Sequence, residues 1–188
     1  MKNVKFLTGF VVLCICLQAC IPSLYPLYKT ENLKLDNRIE GYWENSDAGN
    51  WDFERFILGG EYTYKLEISE DELLAAHLLE LGGQTFMDFY PLEVKSLFSE
   101  TDFYDTHFMP VHTFAKVELS DEQLTVRFFD TEFLEELLEQ KKIRIRNEKV
   151  QDGFVLSADT DELQKFVLKY AEDPMSFIDP IIFTKKAQ

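Results

Sequence analysis

Cysteine is almost absent from this 188-residue chain: Cys14, Cys16 and Cys20 are the only three, all within the first twenty positions. Nothing beyond Cys20 can supply a disulfide, a thiolate metal site or a thiol nucleophile, so stability must come from packing. Eight Gly and six Pro are too few for a linker-rich or fibrous protein. Basic residues are outnumbered 19 to 34 by acidic ones, and the formal net charge is −15. A body this acidic repels phosphate backbones, which argues against a nucleic-acid partner. No apolar stretch reaches the roughly 20 residues of a membrane-spanning helix; the run from Phe6 to Cys16 has eleven. Gly-x-Ser-x-Gly, a Gly-rich phosphate loop and His-Glu-x-x-His are all missing, so no catalytic motif and no cofactor is indicated. What the chain does have is bulk. It carries 17 Phe, 8 Tyr and 2 Trp, and 46% of its residues are apolar, enough for a real core in one domain.

The first twenty residues read as an export signal. Lys2 and Lys5 form a basic start, the apolar run follows, and Leu17-Gln18-Ala19-Cys20 ends it. That tetrapeptide resembles the bacterial lipobox, in which a Cys receives a diacylglyceryl thioether and becomes the first mature residue. The resemblance implies a signal peptide over residues 1–19 and fatty-acyl chains, such as palmitate, on Cys20. Loss of Lys2 and Lys5, with no acid, leaves 17 basic and 34 acidic residues and a mature net charge of −17. Anionic lipid would repel such a body, so the acyl chains must be the membrane anchor; two or three bind firmly where one binds marginally. Ile21, not Asp, follows the Cys, which resembles the outer-membrane sorting pattern of double-membraned bacteria. Residues 20–38, with Pro22 and Pro26, are expected to be an extended tether: a short arm packed on the domain or, through Tyr25 and Tyr28, a segment at the membrane surface.

Residues 39–188 are mainly β. Ile39 to Glu44 and Trp51 to Leu58 read as strands, and Gly59-Gly60 is a hairpin signal. Tyr62, Tyr64, Leu66 and Ile68 then alternate with Glu61, Thr63, Lys65 and Glu67, a period of two. Ser69 to Leu81 is ambiguous. Ser69-Glu70-Asp71-Glu72 matches a helix capping box, yet Gly82-Gly83 looks like a second hairpin, which favours a strand over Ala75 to Leu81. Strands are expected over Thr85 to Tyr90, Val111 to Leu119, Leu124 to Phe128, Ile143 to Arg146, Phe154 to Leu156 and Ile181 to Phe183. Helices are expected from Asp130 or Thr131 and from Thr160; Leu163, Phe166, Val167, Tyr170 and Ala171 make an amphipathic face. Leu92 to Phe108 reads as an irregular acidic loop. Sequence-adjacent hairpins make an antiparallel meander, closed into a barrel or curled, with two late helices over an end or edge.

Gly41-Tyr42-Trp43 opening the first strand resembles the Gly-x-Trp start of lipocalin-like barrels. Several further segments are similar to a family of uncharacterised bacterial lipoproteins. They are Cys20 to Tyr28, Leu81-Gly82-Gly83, Phe86 to Pro91, Met109 to Ala115 and Leu163 to Val167. That resemblance implies an anchored β-rich domain of the cell envelope and no particular activity.

Among candidate site residues, Trp43, Phe56, Tyr64, Phe86 and Phe114 are expected to line a barrel interior that holds a small apolar ligand. Asp88, between Met87 and Phe89, either faces water or is an interior carboxylate with a partner and a raised pKa. His112 reads as a hydrogen-bonded structural histidine or, less simply, a base. Asp102, Asp105 and His107 lie close together, but their spacing fits no established metal motif and no metal is expected. Two function classes stand: an anchored apolar-ligand binder, and an envelope interaction or structural module with a filled core that uses its acidic face and residues 92–109. Both need the anchor. Cys20→Ser is expected to leave the protein uncleaved or soluble; a variant that still fractionates with membranes as mature protein contradicts the lipid anchor.

Overall fold

The computed structural model describes residues 20–70, 72–92, 109–151 and 153–186. Ten strands and two helices occur among them. The strands are β1 (Gly41–Asn45), β2 (Gly49–Leu58), β3 (Glu61–Ser69), β4 (Glu72–Leu81), β5 (Gln84–Pro91), β6 (Thr113–Leu119), β7 (Gln123–Phe128), β8 (Asn147–Val150), β9 (Gly153–Leu156) and β10 (Ile181–Lys185). The helices are α1 (Thr131–Glu139) and α2 (Thr160–Tyr170). β1 to β7 form a consecutive antiparallel meander, and β10 slots between β7 and β1 to close an eight-stranded barrel. β8 and β9 make a separate hairpin. This is the antiparallel architecture of lipocalin-like barrels, as the meander predicts.

Two glycine pairs set the register. Gly59-Gly60 (φ 61° and 91°) and Gly82-Gly83 (φ 58° and 78°) both turn with two consecutive positive φ angles, which matches the right-handed twist of the strands they join. Thus Leu58 faces Glu61, and Leu81 faces Gln84. The ambiguous stretch is strand from Glu72, so the capping box is not used. Its near-continuous apolar reading has a physical cause: β4 is buried on both faces. Ala76 and Leu78 point into the barrel, while Leu79 and Leu81 point outward into a second core.

That second core is what the two helices and the N-terminal segment cover. Phe86 and Phe114, on the outer face of β5 and β6, pack with Leu134 of α1, Leu163, Phe166 and Val167 of α2, Phe154 and Leu156 of β9, and Ile21 and Leu27. Asp130 caps α1, accepting from Glu132 N–H at 2.8 Å, and Asp159 caps α2, accepting from Glu162 N–H at 3.0 Å. One expectation fails locally. Ile143 to Arg146 is not a strand; pairing begins only at Asn147. Ile145 is drawn into the outer core and the Arg146 side chain is held by Asp159 and Glu162 of the α2 N-terminus, and among the described residues the β9 side reaches this segment only through the Ser157 N–H, which donates to the Arg146 carbonyl (3.0 Å).

Residues 20–40 are no loose tether; they form a strap along the outside of the barrel. Ser23 exchanges backbone hydrogen bonds with His112 (2.8 Å each way), and Leu156 N–H donates to Pro22 (2.9 Å). Further along, Leu33 bridges Leu79 and Lys34 N–H donates to Leu78 (2.9 Å). The strap therefore starts at the barrel end where β6 begins and finishes at the opposite end. There the turn Asn37–Ile39 folds over the rim and drives Ile39 into the lumen.

Candidate functional site

The lumen, the expected binding site, is occupied by its own side chains. Trp51 from β2 lies 4.5 Å from Phe183 of β10, 5.9 Å from Phe53 and 5.8 Å from Phe89 of β5 (ring centroids). Phe89 continues the contact to Phe128 of β7 at 5.9 Å, and Phe53 to Tyr64 at 6.5 Å. β2 and β5 are not neighbours in the sheet, so these rings meet across the barrel axis. Eight strands enclose just enough room for such filling. One end is also stoppered. Trp43 Nε1–H donates to the carbonyl of Ile39 (2.7 Å), the Tyr64 hydroxyl accepts from Asp36 N–H (2.8 Å), and Arg55 and Lys185 reach Asn37 Oδ1 and the Arg38 carbonyl.

The expected lining residues divide three ways. Trp43 and Tyr64 face the lumen and are fully buried there. Phe86 and Phe114 face the other way, into the outer core, because alternate residues of a strand point to opposite faces and Met87, Phe89 and Ala115 take the inward positions. Phe56 belongs to neither core and is half-buried; it pairs with Thr63 on the hairpin where inward positions are held by Phe53 and Tyr64. One interior lined by all five does not exist. Asp102, Asp105 and His107 lie outside the described residues.

Asp88 and His112 do come together. Both lie on the outer face, beneath the strap. Asp88 is 0% exposed, so the reading in which it faces water is corrected. Its Oδ2 accepts the backbone N–H of Leu27 at 2.8 Å, and its Oδ1 lies 2.7 Å from His112 Nδ1. Burial pushes the Asp88 pKa upward, against the opposing pull of His112 and of the Leu27 N–H. Tyr90 lies tilted against His112 at 4.5 Å, and Tyr28 meets the same ring edge-on at 6.5 Å. Tyr28 also lies flat on His77 at 4.2 Å. Burial, then the nearby charge of Asp88, pushes the Tyr28 hydroxyl up to about 12, so it stays protonated.

This cluster is a clamp. A buried carboxylate fixes a backbone N–H of the strap and one nitrogen of an imidazole, and two tyrosine rings pack against that imidazole. Charge-assisted hydrogen bonds of this kind contribute roughly 1.5–3 kcal/mol each. His112 is hydrogen-bonded through Nδ1 to Asp88 and through its backbone to Ser23, as a hydrogen-bonded structural histidine would be. Sequence reasoning missed His77, Leu27 and Tyr28. The available signal was the unusual apolar and aromatic content of Ile21 to Tyr28, excessive for a solvated tether.

Elsewhere the surface offers an open cleft of about 960 Å³ lined by charged groups, among them Glu40, Asp52, Glu54, Arg55, Asp121 and Lys185. Arg55 pairs with Glu40 and Lys65 with Glu54 (2.6 Å), so part of that charge is internally compensated. Among the described residues no group of three or more His, Cys, Asp or Glu is placed to hold a metal ion, and no helix is long and apolar enough to cross a membrane.

No family model, no curated protein and no solved structure matches this chain.

His77 makes the clamp pH-sensitive. It is 3% exposed, its Nδ1 has no hydrogen-bond partner, and burial, followed by His112, lowers its pKa from 6.5 to about 4. The unfolded chain thus takes up this proton first as pH falls. The stability His77 contributes is complete above about pH 6.5 and lost progressively toward pH 4, by an amount on the order of 3 kcal/mol. Asp88, with its raised pKa, acts in the opposite direction. Comparing wild type with His77→Leu isolates the histidine: the wild type should lose more stability between pH 7 and pH 4.5, by 2 kcal/mol or so. Parallel denaturation profiles would contradict this.

Proposed function

We propose that this chain is an exported bacterial lipoprotein, cleaved before Cys20 and held in the cell envelope by acyl chains on that residue. Its barrel acts through its outer surface, as an interaction or structural module. The single observation that carries the second half is the filled lumen. Trp51, Phe53, Phe89, Phe128 and Phe183 occupy the space an apolar ligand would need, and Ile39 stoppers one end. The first half rests on the ordered succession of basic start, apolar run and Leu-Gln-Ala-Cys, and on the resemblance to bacterial lipoproteins. Placement in the outer membrane rests on Ile21. The acidic surface, at a mature net charge of −17, favours partners of basic or mixed charge over phosphate-bearing ones.

Trp43 and Trp51 are the only tryptophans, and both are buried in the lumen cluster, so their fluorescence reports directly on lumen occupancy. Titrating the mature protein with an apolar anionic dye such as anilinonaphthalene sulfonate should give no saturable change in that emission. Cross-linking in intact cells should capture an envelope protein. Saturable one-to-one binding with tryptophan quenching contradicts the surface-acting reading and restores the apolar-ligand one.

A further inference from the structure

We infer that the barrel end at which β6 begins rests against the bilayer, because the chain leaves no spacer between its acylated residue and the folded body. This rests on the anchor reading above and adds an orientation and a contact surface to it.

The distance argument comes first. Ile21 is buried in the outer core, and Ser23 is hydrogen-bonded to His112 at 2.8 Å on one side while Leu24 N–H donates to Leu156 at 2.9 Å on the other. Three residues of fully extended chain span at most about 11 Å. The thioether therefore lies within that distance of a fixed point at the start of β6. Cys20 is closer still to the body: its half-buried side chain packs against the lumen cluster, as do those of Ile68, Leu74, Ile178 and Ile181. These are the last turns of β3, the first of β4 and the approach to β10, all at one barrel end. A flexible tether would let an anchored domain float free of the lipid surface. Here the strap is part of the fold over its whole length.

The second argument is what the described residues expose at that end. Met109, three residues before His112, is 68% exposed, and Met175, next to the Ser176 carbonyl that accepts from Asp130, is 72% exposed. Tyr25, two residues beyond the Ser23 bridge, and Ile182, at the start of β10, are also exposed. Unbranched Met and amphipathic Tyr suit the headgroup boundary, where one part of a side chain is dry and the other wet. Acidic residues are exposed at the same end: Asp47 on the β1–β2 turn, and Glu70 and Glu72 at the β3–β4 turn. The complementary surface is accordingly a neutral, zwitterionic leaflet, with the acyl chains of Cys20 supplying the attraction. The Gly59-Gly60 hairpin tip, with Ile57 and Tyr62, points away from the lipid, roughly 20–25 Å along the tilted strands.

The absence of cysteine after Cys20 makes the test clean. Met109→Cys, Met175→Cys and Tyr62→Cys are each made in the full-length precursor, recovered as mature protein, labelled with a fluorophore and reconstituted in phosphatidylcholine vesicles carrying a headgroup nitroxide quencher. Mass spectrometry of each sample records whether Cys20 is acylated. Labels at 109 and 175 should be quenched at least threefold more strongly than the label at 62. Equal quenching at all three sites, or an unquenched label at 109 on acylated protein, overturns the orientation alone. An unmodified Cys20 overturns the anchor and the orientation with it.

Discussion

A buried carboxylate is the point from which the rest of this structure hangs. Asp88 is fully buried, and its two oxygens are committed to the Leu27 N–H of the strap and to His112. Removing any one of the three leaves the others with unmet polar groups in a low-dielectric site, which is far costlier than never having buried them. The clamp thus fixes where the N-terminal strap crosses the sheet. The strap in turn closes the outer core over β4 to β6, delivers Ile39 to the lumen, and holds Cys20 at the opposite end. The position of Cys20 is thus a consequence of sheet chemistry some tens of residues away in sequence.

Two cores share one sheet. The inner one is a barrel filled by aromatic rings; the outer one is a layer of helix, hairpin and strap on the other face of the same strands. β4 to β6 are buried on both sides, which is unusual for an antiparallel sheet and accounts for stretches such as Leu73 to Leu79 with few polar positions. The arrangement answers the absence of disulfides, since two interlocked cores supply the burial that cross-links cannot.

Much of this was legible in the residues. Strict alternation in Tyr62 to Ile68 and the Gly-Gly pairs marked the hairpins, and the spacing of Leu163, Phe166 and Val167 marked α2, because each depends on local periodicity. What periodicity cannot say is which face of a strand is the inside when both faces are apolar. For that reason Phe86 and Phe114 were assigned to the lumen with Trp43 and Tyr64, although they face the outer core. Asp88 was set apart by its aromatic neighbours, but its partners lie at positions 27 and 112, and only the folded strap brings them together. Ile143 to Arg146 alternates as a strand does, yet its side chains are claimed by the outer core and by α2.

Hydrogen exchange at the Leu27 amide, measured on the mature protein near neutral pH, tests the clamp most directly. If Asp88 holds the strap closed, that amide exchanges as slowly as core-strand amides such as that of Phe53. Exchange at the rate of a solvent-exposed amide would mean that the strap is free of the barrel, and the position of Cys20 at the end where β6 begins would fall with it.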